Sequence, residues 1–458
     1  MRGQGHNPLL SRRAFMGAAG AVALAGAGIY AFPRSSSRPA GPGTTTTALR
    51  KCVSMGPLDT PRGDDQDLRL DGNVGLLTST RTPWVKVWAR WDQIQPLPPS
   101  AVRVDQLDDD VNPGRPFLAA LDAQVEVARA LDPPVGVIIC LWRFPGWANA
   151  TEGVAEDLPG NLELFPEDRL KRSIYEAGDP KATIKPLAYR VPPREELEPG
   201  GAWGRWVDFL YRRYMRNGEH VVLEIANEPN IQWWPQRDPT PGDDPFAQGE
   251  LVSARSAATM MVTAQAIGER HGERMLIAGP GTWDGPKGDA SVIRDSRLYT
   301  DYATFTEALL DELEARDFVA GPRFVWTQHN YNDTVFRHGH PGRPRNRAAH
   351  ARELLVGRWR GFPRRNRDGM SPEVWLTEGG ADLRAKTVAG DRRAQARLLR
   401  ENWDLMADRA GDGAGIGMVT NYLGYSAPTF DTGLRDPLDA GGAPRPVEDT
   451  WRRLPSND

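Results

Sequence analysis

The strongest constraint on this chain is a rhythm of short apolar runs separated by helix-length amphipathic segments, starting near residue 50. The runs cover residues 52–55, 84–90, 135–142, 221–226, 274–278, 323–329, 373–377 and 416–423. Helical patterns fill 117–131, 203–216, 251–271, 302–316, 347–360 and 392–409, with a short last helix over 447–454. Strand-length runs alternating with helices argue for repeated βα units on a parallel sheet. Residues 135–142 are apolar almost throughout, as a strand covered on both faces requires. Five or six such units leave an open sheet, whereas eight close on themselves. The expected fold is therefore a (β/α)8, or TIM, barrel. Connections into the strands are short and those leaving them are long, above all 143–200 with Trp147, Phe165, Tyr175 and Tyr189. Those aromatics favour an ordered wall of a cleft.

A length of 458 residues fits one large barrel with insertions. A formal net charge of -3 gives no global field toward nucleic acid or an anionic membrane. The two cysteines, Cys52 and Cys140, lie in apolar runs and read as buried thiols, not a disulfide framework. No phosphate-binding or dinucleotide-binding glycine pattern is present, and Gly279-Pro280-Gly281 reads as a turn.

The first 32 residues read as an address. Ser11-Arg12-Arg13-Ala14-Phe15-Met16 carries twin arginines, and an Ala/Gly-rich apolar run follows to about Phe32. This resembles a twin-arginine export signal. The alternative is an uncleaved membrane anchor; the run is short and glycine-rich for a span. Residues 33–49 read as a flexible polar linker, and 50–458 as the barrel with its closing segment. A secreted protein follows, with no stable membrane association beyond the export signal, expected to act as a monomer.

The chemistry is expected at strand ends. The stretch V-V-L-E-I-A-N-E-P-N, residues 221–230, is a strand stopped by Pro229, which cannot donate to a sheet ladder. Glu228 is left at the strand's C-terminal end, the face where barrels of this kind carry their active sites. Trp375-Leu376-Thr377-Glu378-Gly379-Gly380 is a second apolar strand ending in a glutamate. Two carboxylates facing each other at about 5–5.5 Å are the equipment of retaining glycoside cleavage. Glu224, inside its strand, needs a partner if buried, and Lys86 is a candidate.

Asn227-Glu228-Pro229 after the fourth strand, Glu378 ending the seventh and His329-Asn330-Tyr331 closing the sixth resemble clan A of the glycoside hydrolases. The stretch 221–230 is most similar to family 5, the cellulase-type family; family 39 or a less described clan A family is the alternative. The likeness spans roughly residues 52–423. It implies Glu228 as general acid/base and Glu378 as nucleophile. It implies Asn227 on the sugar 2-hydroxyl, Tyr331 donating to Glu378, and His329 lining the site. Arg90, ending the second strand, is similar in position to the family's strand-two arginine and would hold the nucleophile anionic. The chain departs from the family with Leu141-Trp142-Arg143-Phe144 where histidine often ends strand three. It also has Asn421-Tyr422 where tryptophan often ends strand eight, and no aromatic after Glu378.

Of the tryptophans just past strand ends, Trp142, Trp147, Trp233, Trp234 and Trp283, the first choices as sugar platforms are Trp234 and Trp142. His338-Gly339-His340 has no cysteine or acidic cluster to complete a metal site. The basic stretch 337–367 reads as a solvated face, with attraction to an acidic glycan as the alternative. The expectation is a secreted retaining β-glycoside hydrolase acting on a carbohydrate without metal or organic cofactor. A transglycosylase with the same residues and an inactive carbohydrate-binding barrel are the alternatives.

Overall fold

The computed structural model describes residues 49–56, 63–149, 191–231, 234, 236, 251–285, 300–321, 323–336, 347–361, 373–385, 388–408, 410, 415–427 and 430–456. The export segment 1–32, nearly all of the linker, most of the 143–200 connection, Trp233 and His338 to His340 lie outside them. Eight strands form a closed barrel in chain order, with the eighth pairing parallel to the first. They are β1 (Arg50–Ser54), β2 (Trp84–Arg90), β3 (Gly136–Trp142), β4 (Val221–Glu224), β5 (Leu276–Thr282), β6 (Phe324–His329), β7 (Val374–Glu378) and β8 (Ile416–Tyr422). Each is followed by a helix: α1 (Gly63–Thr80), α2 (Arg115–Ala130), α3 (Ala202–Tyr214), α4 (Val252–Arg270), α5 (Tyr302–Ala315), α6 (Arg347–Gly361), α7 (Arg392–Ala407) and α8 (Pro446–Arg453).

Strand periodicity sorts the side chains into two layers. Val85, Val87 and Ala89 of β2 join the large apolar cluster packed under the helices. Trp84 points the other way and joins a separate cluster inside the barrel with Cys52, Ile138, Val222, Ala278, Val325, Trp375 and Met418. Trp84 and Trp375 meet edge to face, ring centres 5.2 Å apart. Gly136 makes room for them, since a Cβ there would lie 2.6 Å from the Trp84 ring. Farther along the strands the interior turns polar: Lys86, Glu224, Thr327, His329 and Thr377 are fully buried. An apolar plug under a polar layer leaves the buried charged groups toward the strands' C-terminal ends, the face where barrels of this kind carry their sites.

Three local readings change. β4 ends at Glu224, although the Ile225 N–H still donates to the Ala278 carbonyl at 2.9 Å. Gly279 to Gly281 belong to β5, which shifts register against β6 there. Helix α1 escapes the sequence pattern because Gly72 and Gly75 interrupt it; each costs a helix about 1 kcal/mol. Packing compensates, with Leu76 and Leu77 buried. Both cysteines are free and buried. Among the described residues, no helix is long and apolar enough to cross a membrane.

Trp84→Ala removes half of the edge-to-face pair in the barrel floor. It is expected to cost about 3–5 kcal/mol in chemical denaturation.

Candidate active site

The site is built on one buried ammonium group. Lys86 Nζ lies 2.6 Å from Glu224 Oε2 and 2.8 Å from Glu378 Oε1, with the Lys86 and Glu224 side chains fully buried. Parallel register places Lys86 beside Ile138 and Val222, one inward position below Glu224. Burial works against the Lys86 charge, but the carboxylates of Glu224 and Glu378 around it raise its pKa well above the ordinary lysine value. Burial alone would raise the pKa of Glu224. Lys86, His329 and the Thr377 hydroxyl, which donates to Oε1, outweigh that and hold it below the usual carboxylate value.

Glu378 accepts at both oxygens, from Lys86 at Oε1 and from the Tyr331 hydroxyl at Oε2, 2.8 Å away. An oxygen pair that only accepts is the arrangement of a carboxylate. Burial keeps the Tyr331 phenol protonated far above its ordinary range, so it stays a donor. The ends of β6 and β7 are pinned by the Asn330 N–H donating to the Glu378 carbonyl at 2.9 Å. Tyr422 and Phe430 pack edge to face on Tyr331, at 5.8 and 5.2 Å, and wall this side of the site. Behind Tyr331, the Asn332 N–H and side-chain amide donate to the buried Asp284, at 2.8 and 3.0 Å. Burial pushes the Asp284 pKa up to about 7.

Glu228 has φ of 47°, a left-handed conformation uncommon for a residue with a side chain. Such strain persists only where surroundings over-determine it. Here the Glu228 N–H donates to the Gly281 carbonyl at 3.0 Å. Gly281 itself has φ of 60°, and a Cβ there would lie 2.7 Å from the Ala226 carbonyl oxygen. This glycine brings β5 against the end of β4, a role its reading as a simple turn overlooked. The Glu228 carboxyl, 13% exposed, meets His329 Nδ1 at 3.0 Å. His329 Nε2 is buried without a partner among the described residues. A lone proton there would be an orphaned donor, so the Nδ1 proton is assigned toward Glu228. Burial raises the Glu228 pKa, and negative Glu378 adds to it while His329 opposes. Burial lowers the His329 pKa, but Glu378 and the bond to Glu228 carry it upward overall.

One ligand atom from each of Glu228, His329 and Glu378 lies within 4.8 Å of the other two. Such a set can hold a metal ion, yet Lys86 already brings a full positive charge against Glu378, and a cation there would face that repulsion. Asn227 is 5% exposed beside this group. Its Oδ1 accepts from the Cys140 thiol at 3.8 Å; burial keeps that thiol protonated far above its normal range.

The remaining expected site residues fall differently. Arg90 places its guanidinium on Asp92, at 2.8 Å from Oδ2, and over the Trp142 ring at 5.6 Å. The cation that touches Glu378 is Lys86, four residues earlier on the same face of β2. Trp234 is 5% exposed and packs edge to face on Phe144, while its indole N–H donates to the Asn227 carbonyl at 3.1 Å. It braces Asn227 from behind and offers no open face to a sugar. Trp142 is half-buried, with Arg143 over its ring at 4.5 Å, so a cation holds a place where a sugar would stack. Trp147 donates to the Gln95 carbonyl and packs on Trp91. Inward parity along β2 (Trp84, Lys86, Trp88, Arg90) admits Lys86 and Arg90 alike, and the need of a buried Glu224 for a partner is the signal that singles out Lys86; Gly281 and Cys140 leave no comparable mark.

No protein-family model matches the chain, and no curated protein matches it in sequence. Solved structures do resemble it. The GH39 enzyme from Xanthomonas axonopodis pv. citri superposes with a TM-score of 0.50 at 11% identity, over 90% of this chain and 66% of that one. A family 39 glycoside hydrolase from Bacteroides cellulosilyticus WH2 gives 0.44 at 12% identity, over 89% of this chain and 63% of that one. A GH5_18 structure from Bifidobacterium longum subsp. infantis gives 0.47 at 16% identity, over 88% and 78%. The chain thus spans just under two thirds of the length of the first two. At these identities the likeness shows the fold, a (β/α)8 barrel.

Lys86→Met leaves Glu224 and Glu378 buried without their cation, and breaking such a pair costs about 3–5 kcal/mol. Glu224 contributes stability above its unfolded pKa that is lost as pH falls through its depressed folded value. Urea denaturation should therefore show the full deficit at pH 7, and a deficit that shrinks as pH falls, first as the buried Glu224 of the variant, raised by burial without its cation, takes a proton above the ordinary carboxylate range, and then as wild type loses its own stabilisation below that range.

Proposed function

We propose that this protein is an exported, retaining β-glycoside hydrolase acting by double displacement on an oligo- or polysaccharide or a glycoconjugate. The observation that carries the reading is the carboxylate pair: Glu228 and Glu378 bring oxygens within 4.8 Å, with different surroundings. Retaining cleavage uses carboxyl groups about 5–5.5 Å apart; inverting cleavage leaves about 6.5–9.5 Å for a water between them. Glu378, fixed by a cation and a phenol donor, suits the nucleophile. Glu228, whose proton is retained by burial and by the nearby negative charge, suits the acid. The twin arginines at Arg12 and Arg13 and the apolar run after them support export.

In the first step a Glu378 oxygen attacks the anomeric carbon. A carbon–oxygen ester bond forms, the glycosidic bond breaks, and the Glu228 proton goes to the departing oxygen. Glu378 is then neutral as an ester, which removes one of the causes holding the Glu228 pKa up. Glu228 is left a carboxylate and His329 Nδ1 supports it. In the second step Glu228 takes a proton from water, the water oxygen bonds the anomeric carbon, and Glu378 departs as carboxylate. Asn227, with its Oδ1 occupied by Cys140, has its amide N–H groups for the sugar 2-hydroxyl.

Proton NMR of the first product tests the stereochemistry: the β-anomer is expected first, and an α-anomer formed first would exclude double displacement. Activity should fall as pH rises through the raised pKa of Glu228, because the acid form is the one that works. Glu228→Gln should lose about 10²–10⁴-fold on substrates with poor leaving groups, and far less on activated aryl glycosides. An equal loss on both would show that Glu228 is not the proton donor.

A further inference from the structure

Helices α7 and α8 follow the nucleophile strand β7 and its neighbour β8, and they pack directly on each other. Between them runs a surface groove of about 330 Å³. Four arginines line it, Arg393, Arg397 and Arg400 from α7 and Arg453 from α8, against a single acid, Asp449. The spacing of four and then three residues is what puts side chains on one face of a helix. From Arg393 to Arg400 the charge extends over about 10 Å of helix, a stripe rather than a point.

What sets this groove apart is that its charge is not neutralised from within. Nearby arginines are matched: Arg392 to Asp436 at 2.7 Å, Arg435 to Glu448 at 2.8 Å, and Arg445 to Asp431 at 2.6 Å. Arg393, Arg400 and Arg453 have no carboxylate partner among the described residues. Arg397 reaches Glu401 only at 3.9 Å, and Asp449 is engaged by Arg452. Converging guanidinium groups with open donor forks fit carboxylate or sulfate oxygens, and each fork can bind two of them. The groove's other lining residues, Ala396, Pro446 and Thr450, provide no aromatic face on which a base or a neutral sugar ring would stack.

We propose that the groove between α7 and α8 is an accessory binding site for a carboxylated polysaccharide chain. The proposal rests on the glycoside hydrolase reading. In this fold the helices form a ring outside the strands, so the groove lies on the outer wall of the barrel on the side of β7 and β8. A polymer entering the mouth over β7 and β8 can continue down the outer wall and be held there by charge. Neutral polymers gain nothing from it.

The test is binding of the full chain to polygalacturonate by calorimetry at low ionic strength, with an uncharged β-glucan and poly(dT) as comparisons. Wild type is expected to bind polygalacturonate with an affinity that falls steeply with salt. Arg393→Gln/Arg400→Gln/Arg453→Gln should bind it about tenfold more weakly, the scale of several exposed ion pairs lost together. Its rate on a small aryl glycoside should match wild type, which also verifies folding. A triple charge reversal to Glu at the same positions should abolish binding. No polygalacturonate binding by wild type, unchanged binding in both triple variants, or tighter binding of poly(dT) would each overturn the proposal. Polygalacturonate binding without cleavage of any glycoside would instead leave the groove standing and remove the hydrolase reading.

Discussion

Lys86 holds two carboxylates on one ammonium group in the dry interior of the barrel. Removing three charges from water costs several kcal/mol per ion, and their attraction offsets that only when the geometry is close. The rest of the site follows from this arrangement. Glu224 anchors the lysine from β4, and Thr377 of β7 donates back to Glu224, so three strands share one network. Glu378 is thereby fixed as an acceptor, and across the mouth burial raises the pKa of Glu228, with the Glu378 charge adding to it. Two side chains of one type are given different surroundings: Glu378 touches the lysine and a phenol, Glu228 the imidazole of His329.

A second constraint is geometric. The left-handed backbone at Glu228 is held by Gly281, where β5 loses its register against β6. Irregularity recurs between Gln328 and His329, beside Glu378. Each of the three groups at the mouth therefore stands where a strand departs from regular pairing. The apolar plug beneath, centred on Trp84 and Trp375, stays regular enough to keep the barrel closed.

Much of this was legible in the sequence. The strands declare themselves because both of their faces are buried, so β2 reads as Trp84 to Arg90 without ambiguity. Glu228, Glu378, His329 and Tyr331 come together because each ends a strand or follows one, and strand ends of a barrel converge. Arg90 misled because a strand-end position was taken as sufficient. Inward parity applies equally to Lys86 and Arg90, and only the depth of Glu224 and Glu378 in the barrel decides between them. Trp234 misled because aromatic character does not say which face is open; its indole N–H serves the Asn227 backbone instead. Gly281 could not be assigned in advance, since its task depends on an Ala226 carbonyl distant in sequence.

The central claim is that Glu378 forms the covalent bond and Glu228 moves the proton. A 2-deoxy-2-fluoro glycoside with a good leaving group slows departure of the nucleophile and traps it as an ester. Incubated with a fluoro-sugar that inactivates it, the protein should carry one label per chain. Peptide mapping should place that label on Glu378, within the peptide that holds residues 375–380. A label on Glu228, or on any peptide lacking Glu378, would contradict the account.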